Sequence, residues 1–352
     1  MTKRAKAGRT AKPAKKSARP ASGRNAIAAS IDALPEGRYL LAVSGGRDSM
    51  VLMDAFAAAR PAQVAVVASF DHGTGPAATR AADHTRREGE RRGLTVVTGS
   101  RTGRVMSDGA DAAKVQAGEE EWRRARWEFL NAQARELGAT IVTGHTLDDQ
   151  VETIFMRIFR HAGARGIAAM FAPSPIVRPF IRVPRDDVAD YAKSKGIKFL
   201  EDPTNASMRF LRNRIRHELL PAAERVQPGI SADLIRIAER AAEWREIVAD
   251  CADILGAVDV AIKPGQGDEG TLSVAIPAPA LIGMQRELLG VIWPELVARA
   301  GGSLDWRGLA RLNGEAGILK AGSEIPIAGG LSVMRTPTSF VVRNQGVDGP
   351  LY

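Results

Sequence analysis

The chain has 352 residues, 45% apolar and 5% aromatic, with no apolar run near the ~18 residues of a membrane span and one cysteine, Cys251. That length suggests two or three domains with ample core, and the single cysteine excludes a disulfide framework, a multi-cysteine zinc site and a cysteine-held cluster within one chain; a soluble protein of a reducing cytoplasm is expected. The net charge of +9 belongs to one end: residues 1–24 hold nine Lys and Arg and no acid, and taking those nine from 49 leaves 40 basic residues against 40 acidic ones.

Residues 1–24, rich in Ala, Lys, Arg and Pro, read as a disordered basic tail. Such a tail either attracts RNA phosphates non-specifically or serves as an inert solubilising extension. The missing apolar face argues against a transit peptide, and the missing apolar h-region against a secretory signal.

After Pro35-Glu36-Gly37, the apolar run Tyr39–Val43 predicts a buried strand, followed by Ser44-Gly45-Gly46-Arg47-Asp48-Ser49 and a helix over about 49–59 that ends near Arg60-Pro61. Val64–Phe70 predicts a second strand leading into Asp71-His72-Gly73. Then come a helix from about 77 to 92, a strand at Leu94–Thr98, a helix near 119–137, a strand at Ala139–Thr143 and a helix from about 147 to 160. Strands alternating with helices imply right-handed parallel crossovers, hence a doubly wound α/β sheet with ligands at the carboxyl ends of its strands.

The unusual residues cluster at those ends. In Ser44–Ser49 two glycines permit a sharp turn and let backbone amides converge on a phosphate at the helix start; the two serines add donors and Asp48 offers a carboxylate to a metal. The plainer reading is a strand-to-helix turn with capping serines. In Gly144-His145-Thr146-Leu147-Asp148-Asp149-Gln150-Val151-Glu152-Thr153, the residues Val151, Ile154, Phe155 and Ile158 form a core stripe, while Asp149 and Glu152 share another face. Such carboxylates suit Mg²⁺ beside nucleotide phosphates, or are first-turn acids that complement the helix dipole, the ordinary role for Asp148. A buried, hydrogen-bonded imidazole is the ordinary role for His145.

The loop lacks the Gly-Lys-Ser/Thr ending of the commoner phosphate loop and resembles the SGGxDS loop of the PP-loop ATP-pyrophosphatases. Five linked motifs narrow the resemblance. SGGRDS at 44–49, Asp71-His72-Gly73, Arg123-Arg124-Ala125-Arg126-Trp127, GHTLDDQVET at 144–153 and Arg160-His161-Ala162-Gly163 stand in the order found in the tRNA(Ile)-lysidine synthetase family. The likeness continues through Arg178-Pro179-Phe180, Glu201-Asp202-Pro203-Thr204-Asn205 and Arg212-Asn213-Arg214-Ile215-Arg216, covering residues 38 to 222.

That family converts the wobble cytidine of an isoleucine tRNA with a CAU anticodon into lysidine. ATP adenylates the C2 carbonyl oxygen and the ε-amine of free L-lysine attacks C2, releasing AMP. Carried over, the resemblance implies that Ser44, Gly45, Gly46, Arg47, Asp48 and Ser49 hold ATP, that Asp48 and Glu152 bind Mg²⁺, and that His145 and Arg123 contact the adenylate. It implies a seat for the lysine ammonium at Asp149, and substrate tRNA contacts from Arg178, Asn205, Arg212 and Arg216. Three departures stand out: Thr74-Gly75 replaces Leu-Arg after Asp-His-Gly, His161-Ala162 replaces Gly-Ser, and Trp127 stands where tyrosine is common.

Pro184 opens a further helix, and Arg209, Arg212 and Arg216, spaced i, i+3, i+7, form an arginine face that either grips RNA or is merely solvated. Residues 25–222 are therefore expected to form the catalytic domain and 223–352 a helical and α+β region that binds tRNA. The latter is expected to hold a long helix at 229–255, a break at Pro264–Gly267, a strand at Leu272–Ile276 and a helix at 283–299. A hairpin pairing Glu324–Ile327 with Leu331–Val342 follows. The oligomeric state stays open, a homodimer included. The competing readings are a PP-loop tRNA thiolase, disfavoured by the lone cysteine, another PP-loop amidotransferase or carboxylate-activating enzyme, and a degenerate tRNA-binding protein, disfavoured by retention of Asp48 and Glu152.

Overall fold

Four consecutive buried side chains, Tyr39 to Ala42, form the strand expected from the first apolar run, and it hydrogen-bonds to a parallel neighbour on each edge. The structure, a computed structural model, describes residues 22–73, 75–100, 112–201, 207–261, 272–327 and 329–344. Residues 1–21 of the basic tail, Thr74, residues 202–205 with the candidate Asn205, and the Pro264–Gly267 break lie outside the described residues.

In chain order the elements are α1 (Ser22–Asp32), β1 (Tyr39–Ala42), α2 (Arg47–Ala59), β2 (Val64–Asp71), α3 (Pro76–Arg91), β3 (Val96–Ser100), α4 (Ala112–Leu137), β4 (Thr140–Thr143), α5 (Leu147–Phe159) and α6 (Ala164–Ile167). They continue with α7 (Arg185–Lys195), α8 (Leu211–Arg214), a π-helical turn (Ile215–Leu219), α9 (Leu220–Val226), α10 (Ile230–Ile254), β5 (Val258–Ala261), β6 (Leu272–Pro277) and α11 (Ala278–Leu281). The last are α12 (Arg286–Arg299), α13 (Trp306–Glu315), β7 (Glu324–Pro326), β8 (Leu331–Arg335) and β9 (Ser339–Asn344).

Two compact units share the chain. One comprises residues 1–105, 130–147 and 178–202, the other 106–129, 148–177 and 203–352. In the first, four parallel strands run in the order β3-β2-β1-β4, with Leu40 of β1 opposite Val66 on one side and Ile141 on the other. The strands read as continuous apolar runs because a parallel sheet is covered on both faces. The chain builds outward from β1 through β2 to β3, then crosses back to lay β4 on the opposite edge of β1. That reversal is a topological switch point between β1 and β4, where doubly wound sheets open a ligand crevice. Helix α1 packs on α2 and α7 through Ile27 and Ile31, one turn apart and fully buried. That apolar pair draws the helix back to Ser22, so residues 22–24, expected in the tail, are helical.

In the second unit Val151 and Ile154 of α5 pack with Ala169 and with Leu234 and Ala238 of α10. Three residues of the expected core stripe of α5, Val151, Ile154 and Phe155, face this cluster, whereas Ile158, expected with them near the helix end, is exposed, and residues 148–177 lie in the same compact unit as α10. Beyond α10 an antiparallel sheet in the order β5-β6-β9-β8-β7 packs on α12, with Trp293 edge-on to Phe340 at 5.6 Å between ring centres. The stretch Leu331–Val342, read from sequence as one strand, is two. Thr336 ends the first with its hydroxyl bonded to Ser339 O and its amide to the same oxygen, and the chain reverses over Pro337.

Candidate functional site

The switch point is occupied by the Ser44–Ser49 loop. Gly45 has φ +84°, and a Cβ there would lie 2.9 Å from Ala81 O of α3, so both backbone conformation and space demand glycine. Gly46 caps α2 without a side-chain bond, leaving the first-turn amides to whatever lies before the helix. Ser49 ties the loop together: its hydroxyl donates to Gly46 O at 2.9 Å and accepts from Ser44 N at 3.2 Å, with Ser44 Oγ also 3.2 Å away. Leu200 N donates to Gly45 O at 3.0 Å, anchoring the loop from the segment after α7.

Asp48 stands in the first turn of α2, where the helix dipole favours a carboxylate, and its Oδ1 accepts from Arg47 Nε at 3.0 Å. Arg185, at the start of α7, brings its Nε to 4.0 Å from Asp48 Oδ2. No local sequence pattern marks Arg185, since it is 137 residues from Asp48. The end of β4 closes on the same loop: a Cβ on Gly144 would meet Asp48 O at 2.9 Å. His145, half-buried, is hydrogen-bonded through Nδ1 with Thr143 Oγ1 at 2.8 Å, and Leu147 N donates to Val183 O. At the end of β2, Asp71 accepts from Gly73 N and from Thr79 Oγ1, both at 2.8 Å, fixing the turn that carries His72 into α3. Arg178 is half-buried at the head of the segment leading to α7.

In the second unit, α5 presents Asp149 and Glu152, both buried, to α8 and the π-helical turn. Arg212 Nε donates to Glu152 Oε2 at 2.8 Å and its Nη2 to Asp149 Oδ1 at 3.0 Å. Arg216 donates to Glu152 Oε1 at 2.7 Å and Oε2 at 2.9 Å, and its Nη2 lies 3.5 Å from Asp149 Oδ1. Two carboxylates and two guanidiniums thus form one compact, neutral square. Between the acids, Gln150 points the other way, donating to Ala168 O and accepting from Met170 N, which pins the segment after α6. Arg209, expected to share the helical face of Arg212 and Arg216, precedes α8, whose cap is Phe210.

Mg²⁺ takes one or two carboxylates beside nucleotide phosphates. Asp48, next to the phosphate-binding loop, has the right chemistry for it. Glu152 as placed does not, because guanidinium donors engage both of its oxygens. Among the described residues no three His, Cys, Asp or Glu side chains gather into a ready cation site. The structure therefore brings Ser44, Gly45, Gly46, Arg47, Asp48, Ser49 and His145 together in one unit, and Asp149, Glu152, Arg212 and Arg216 in the other. Arg123 lies exposed on α4 within the second.

The PP-loop domain family matches residues 22–223. The tRNA(Ile)-lysidine synthase of Geobacter sulfurreducens is 34% identical over 215 residues, 59% of this chain and 45% of that protein. The tRNA(Ile)-lysidine synthase of Salinispora arenicola is 32% identical over 288 residues, 79% of this chain and 83% of that one. The chain spans about half the length of several curated relatives that it matches, 45% in the Geobacter case. Among solved structures, the U34-tRNA thiolase NcsA of Methanococcus maripaludis superposes with a TM-score of 0.50 at 17% identity, over 63% of this chain and 78% of that one, a likeness of fold. With more than half of its residues inside the PP-loop match and most of its length paralleled by the Salinispora protein, the chain belongs to the tRNA(Ile)-lysidine synthase family of PP-loop proteins.

Proposed function

We propose that this chain is itself an ATP-dependent tRNA(Ile)-lysidine synthase of the cytoplasm, a carbon–nitrogen ligase using ATP, Mg²⁺ and L-lysine on an isoleucine tRNA with a CAU anticodon. AMP is transferred to the C2 carbonyl oxygen of the wobble cytidine with loss of pyrophosphate. The lysine ε-amine then attacks C2 and gives up a proton, and AMP leaves with the oxygen. A ring carbonyl oxygen is a poor leaving group until it is adenylated, so the first step makes the second feasible.

The observation that carries this reading is the Ser44–Ser49 loop at the switch point, with a glycine that nothing larger can replace and a helix start whose amides lack a side-chain cap. In this reading the loop amides and the two serines bind the pyrophosphate, and Arg47 and Arg185 flank it with positive charge. Asp48 holds Mg²⁺, which when bound neutralises charge on the phosphates. His145, oriented by Thr143, and Arg123 contact the adenylate. Asp149 seats the lysine ammonium and helps to remove its proton, while Glu152 positions Arg212 and Arg216 toward the tRNA; Arg178 and Asn205 add tRNA contacts.

The test is transfer of radiolabelled lysine to unmodified CAU-anticodon isoleucine tRNA with ATP and Mg²⁺, scored after alkaline treatment that removes aminoacyl esters. Label that is ATP-dependent, alkali-stable and lost when the wobble cytidine is replaced is the expected result. AMP release without label would overturn lysine as the nucleophile, and neither signal would overturn the reaction.

A further inference from the structure

Helix α13 turns one side inward and leaves a tryptophan outside. Leu309 and Leu312 pack into the apolar cluster that α12 shares with the antiparallel sheet. The first turn is held from two directions: Asp305 accepts from Gly308 N at 2.7 Å, and a Cβ on Gly308 would meet Leu304 at 2.8 Å and Ile327 at 3.1 Å. Arg311, one turn on, donates to Pro326 O at 3.1 Å and pairs with Glu315. The start of α13 is therefore a fixed mount for whatever its outer side carries.

Trp306, the first residue of that helix, takes no part in the cluster and is 74% exposed. Among the described residues only one other Phe, Tyr or Trp side chain is exposed, Phe159, and it stands against the ring of Phe155. Trp306 has a guanidinium for its neighbour: Cζ of Arg307 lies over the ring at 5.3 Å from its centre. A spacing of four puts Ala310 and Gly314 on the same helix face, one and two turns further; both are exposed, and a Cβ on Gly314 would meet nothing within 4 Å. The patch is thus one ring wide, with open space along the helix and a positive charge against the ring.

A patch of that shape selects its occupant. A protein partner, a second copy included, docks through a contiguous apolar area built from many side chains, which Ala310 and Gly314 do not supply. A flat heterocycle needs a single ring face. Nucleobases stack on aromatic rings and on guanidinium planes, and the charge of Arg307 suits the phosphate attached to such a base. The geometry points to Trp306 and Arg307 as a stacking platform for one unpaired base of bound RNA, with Arg307 over one face of the indole and the base on the other. A paired base inside a duplex has both faces covered by its neighbours, so the platform takes bases from loops and single strands. That this RNA is a tRNA rests on the function proposed above; the platform itself does not.

The test uses the full chain with Trp306→Ala and the ring-keeping Trp306→Phe. Binding of unmodified CAU-anticodon isoleucine tRNA, of a single-stranded RNA and of a blunt RNA duplex is measured across a salt series, with melting temperature and sedimentation alongside. The emission of Trp306 is isolated as wild type minus Trp306→Phe. The tRNA and the single strand should quench it, and Trp306→Ala should weaken both about 5- to 100-fold, the range of one lost aromatic stack. The slope of log K against log salt should hold, because no phosphate contact is removed, and Trp306→Phe should keep most of the affinity. The duplex should bind wild type and Trp306→Ala alike. Unchanged tRNA affinity in Trp306→Ala, an equal loss for the duplex, quenching by AMP or ATP alone, or a smaller sedimenting mass in Trp306→Ala would each overturn the platform, as would a fall of several degrees in melting temperature that Trp306→Phe shares. Wild-type chain that transfers no lysine yet binds unpaired RNA through Trp306 would sink the proposed reaction and leave the platform standing. Full lysine transfer with unchanged tRNA affinity in Trp306→Ala would do the reverse.

Discussion

Glu152 is 1% exposed, and the two arginines that hold it keep roughly a third and a quarter of their side chains in solvent. Replacing it with glutamine leaves two guanidiniums facing one remaining carboxylate, so a positive charge loses its partner in a partly buried site. Breaking a buried pair this way costs about 3–5 kcal/mol, and the partial exposure of Arg212 and Arg216 reduces the expectation for Glu152→Gln to about 2–3 kcal/mol. Urea unfolding of Glu152→Gln should show that loss, and Glu152→Gln with Arg216→Gln should recover part of it; equal losses in the single and double variants would refute the pairing. The sharing of one helical face by Asp149 and Glu152 was legible from their spacing of three. Their arginine partners, about sixty residues away, were not, because periodicity reports which face a side chain occupies and nothing of what is packed against it. That is why Glu152 was expected to be a metal ligand and is found clamped by arginines.

Helix α10 shows how an element is started when its own cap residue cannot do the work. Gly229 offers no side chain, and Glu224, five residues upstream, accepts from Gly229 N at 2.8 Å and Ser231 N at 2.9 Å. These bonds to the Ser231 and Gly229 groups hold the Glu224 carboxyl below its ordinary range. A pKa that is lower in the folded state than in the unfolded one means that the stabilisation is complete above the unfolded value and is lost as pH falls through the folded one. Glu224→Ala should therefore cost about 1 kcal/mol at neutral pH, typical of a lost cap, and the gap to wild type should close as pH falls through the lowered folded-state pKa of Glu224. A pH-independent gap in denaturant midpoint would show that the bonds are not charge-assisted. The span of α10 was readable almost to the residue from its apolar periodicity, and β1, β2 and α2 from their apolar runs and Gly-Pro punctuation. Strand β5 and helix α13 were not. Four residues are too few to establish a period of two, and α13 is opened by Asp305, whose carboxylate accepts from Gly308 N in a glycine-rich stretch that reads as loop. The turn between β8 and β9 does carry a signal, Pro337 between two threonines, but apolar residues on both sides of it make Leu331–Val342 read as one continuous strand.

For the molecule as a whole, the charge is divided unevenly between body and tail. Residues 25–352 are formally neutral, so net attraction to RNA has to come from the basic end or from local concentrations of Lys and Arg, and salt screens it beyond a Debye length of about 8 Å. The two sources predict different behaviour. A fixed cluster contacts particular phosphates and alters affinity at a defined place on the RNA, whereas residues 1–21 contribute eight Lys and Arg and no acid to the overall charge. Cutting after residue 21 spares α1, which begins at Ser22, and brings the net charge from +9 to +1. If three of those eight cations exchange with counterions on the RNA, the truncated chain should lose about 2–3 from the slope of log K against log salt, and its affinity should fall most at low ionic strength. The rate at saturating tRNA should be unchanged, because once the RNA is seated the chemistry depends on the switch-point loop and the acid–arginine square. A truncated chain with the full slope would leave the attraction to the body's own arginine clusters. A truncated chain that binds normally but turns over slowly would mean that the tail acts on the seated substrate, a role its charge alone does not explain.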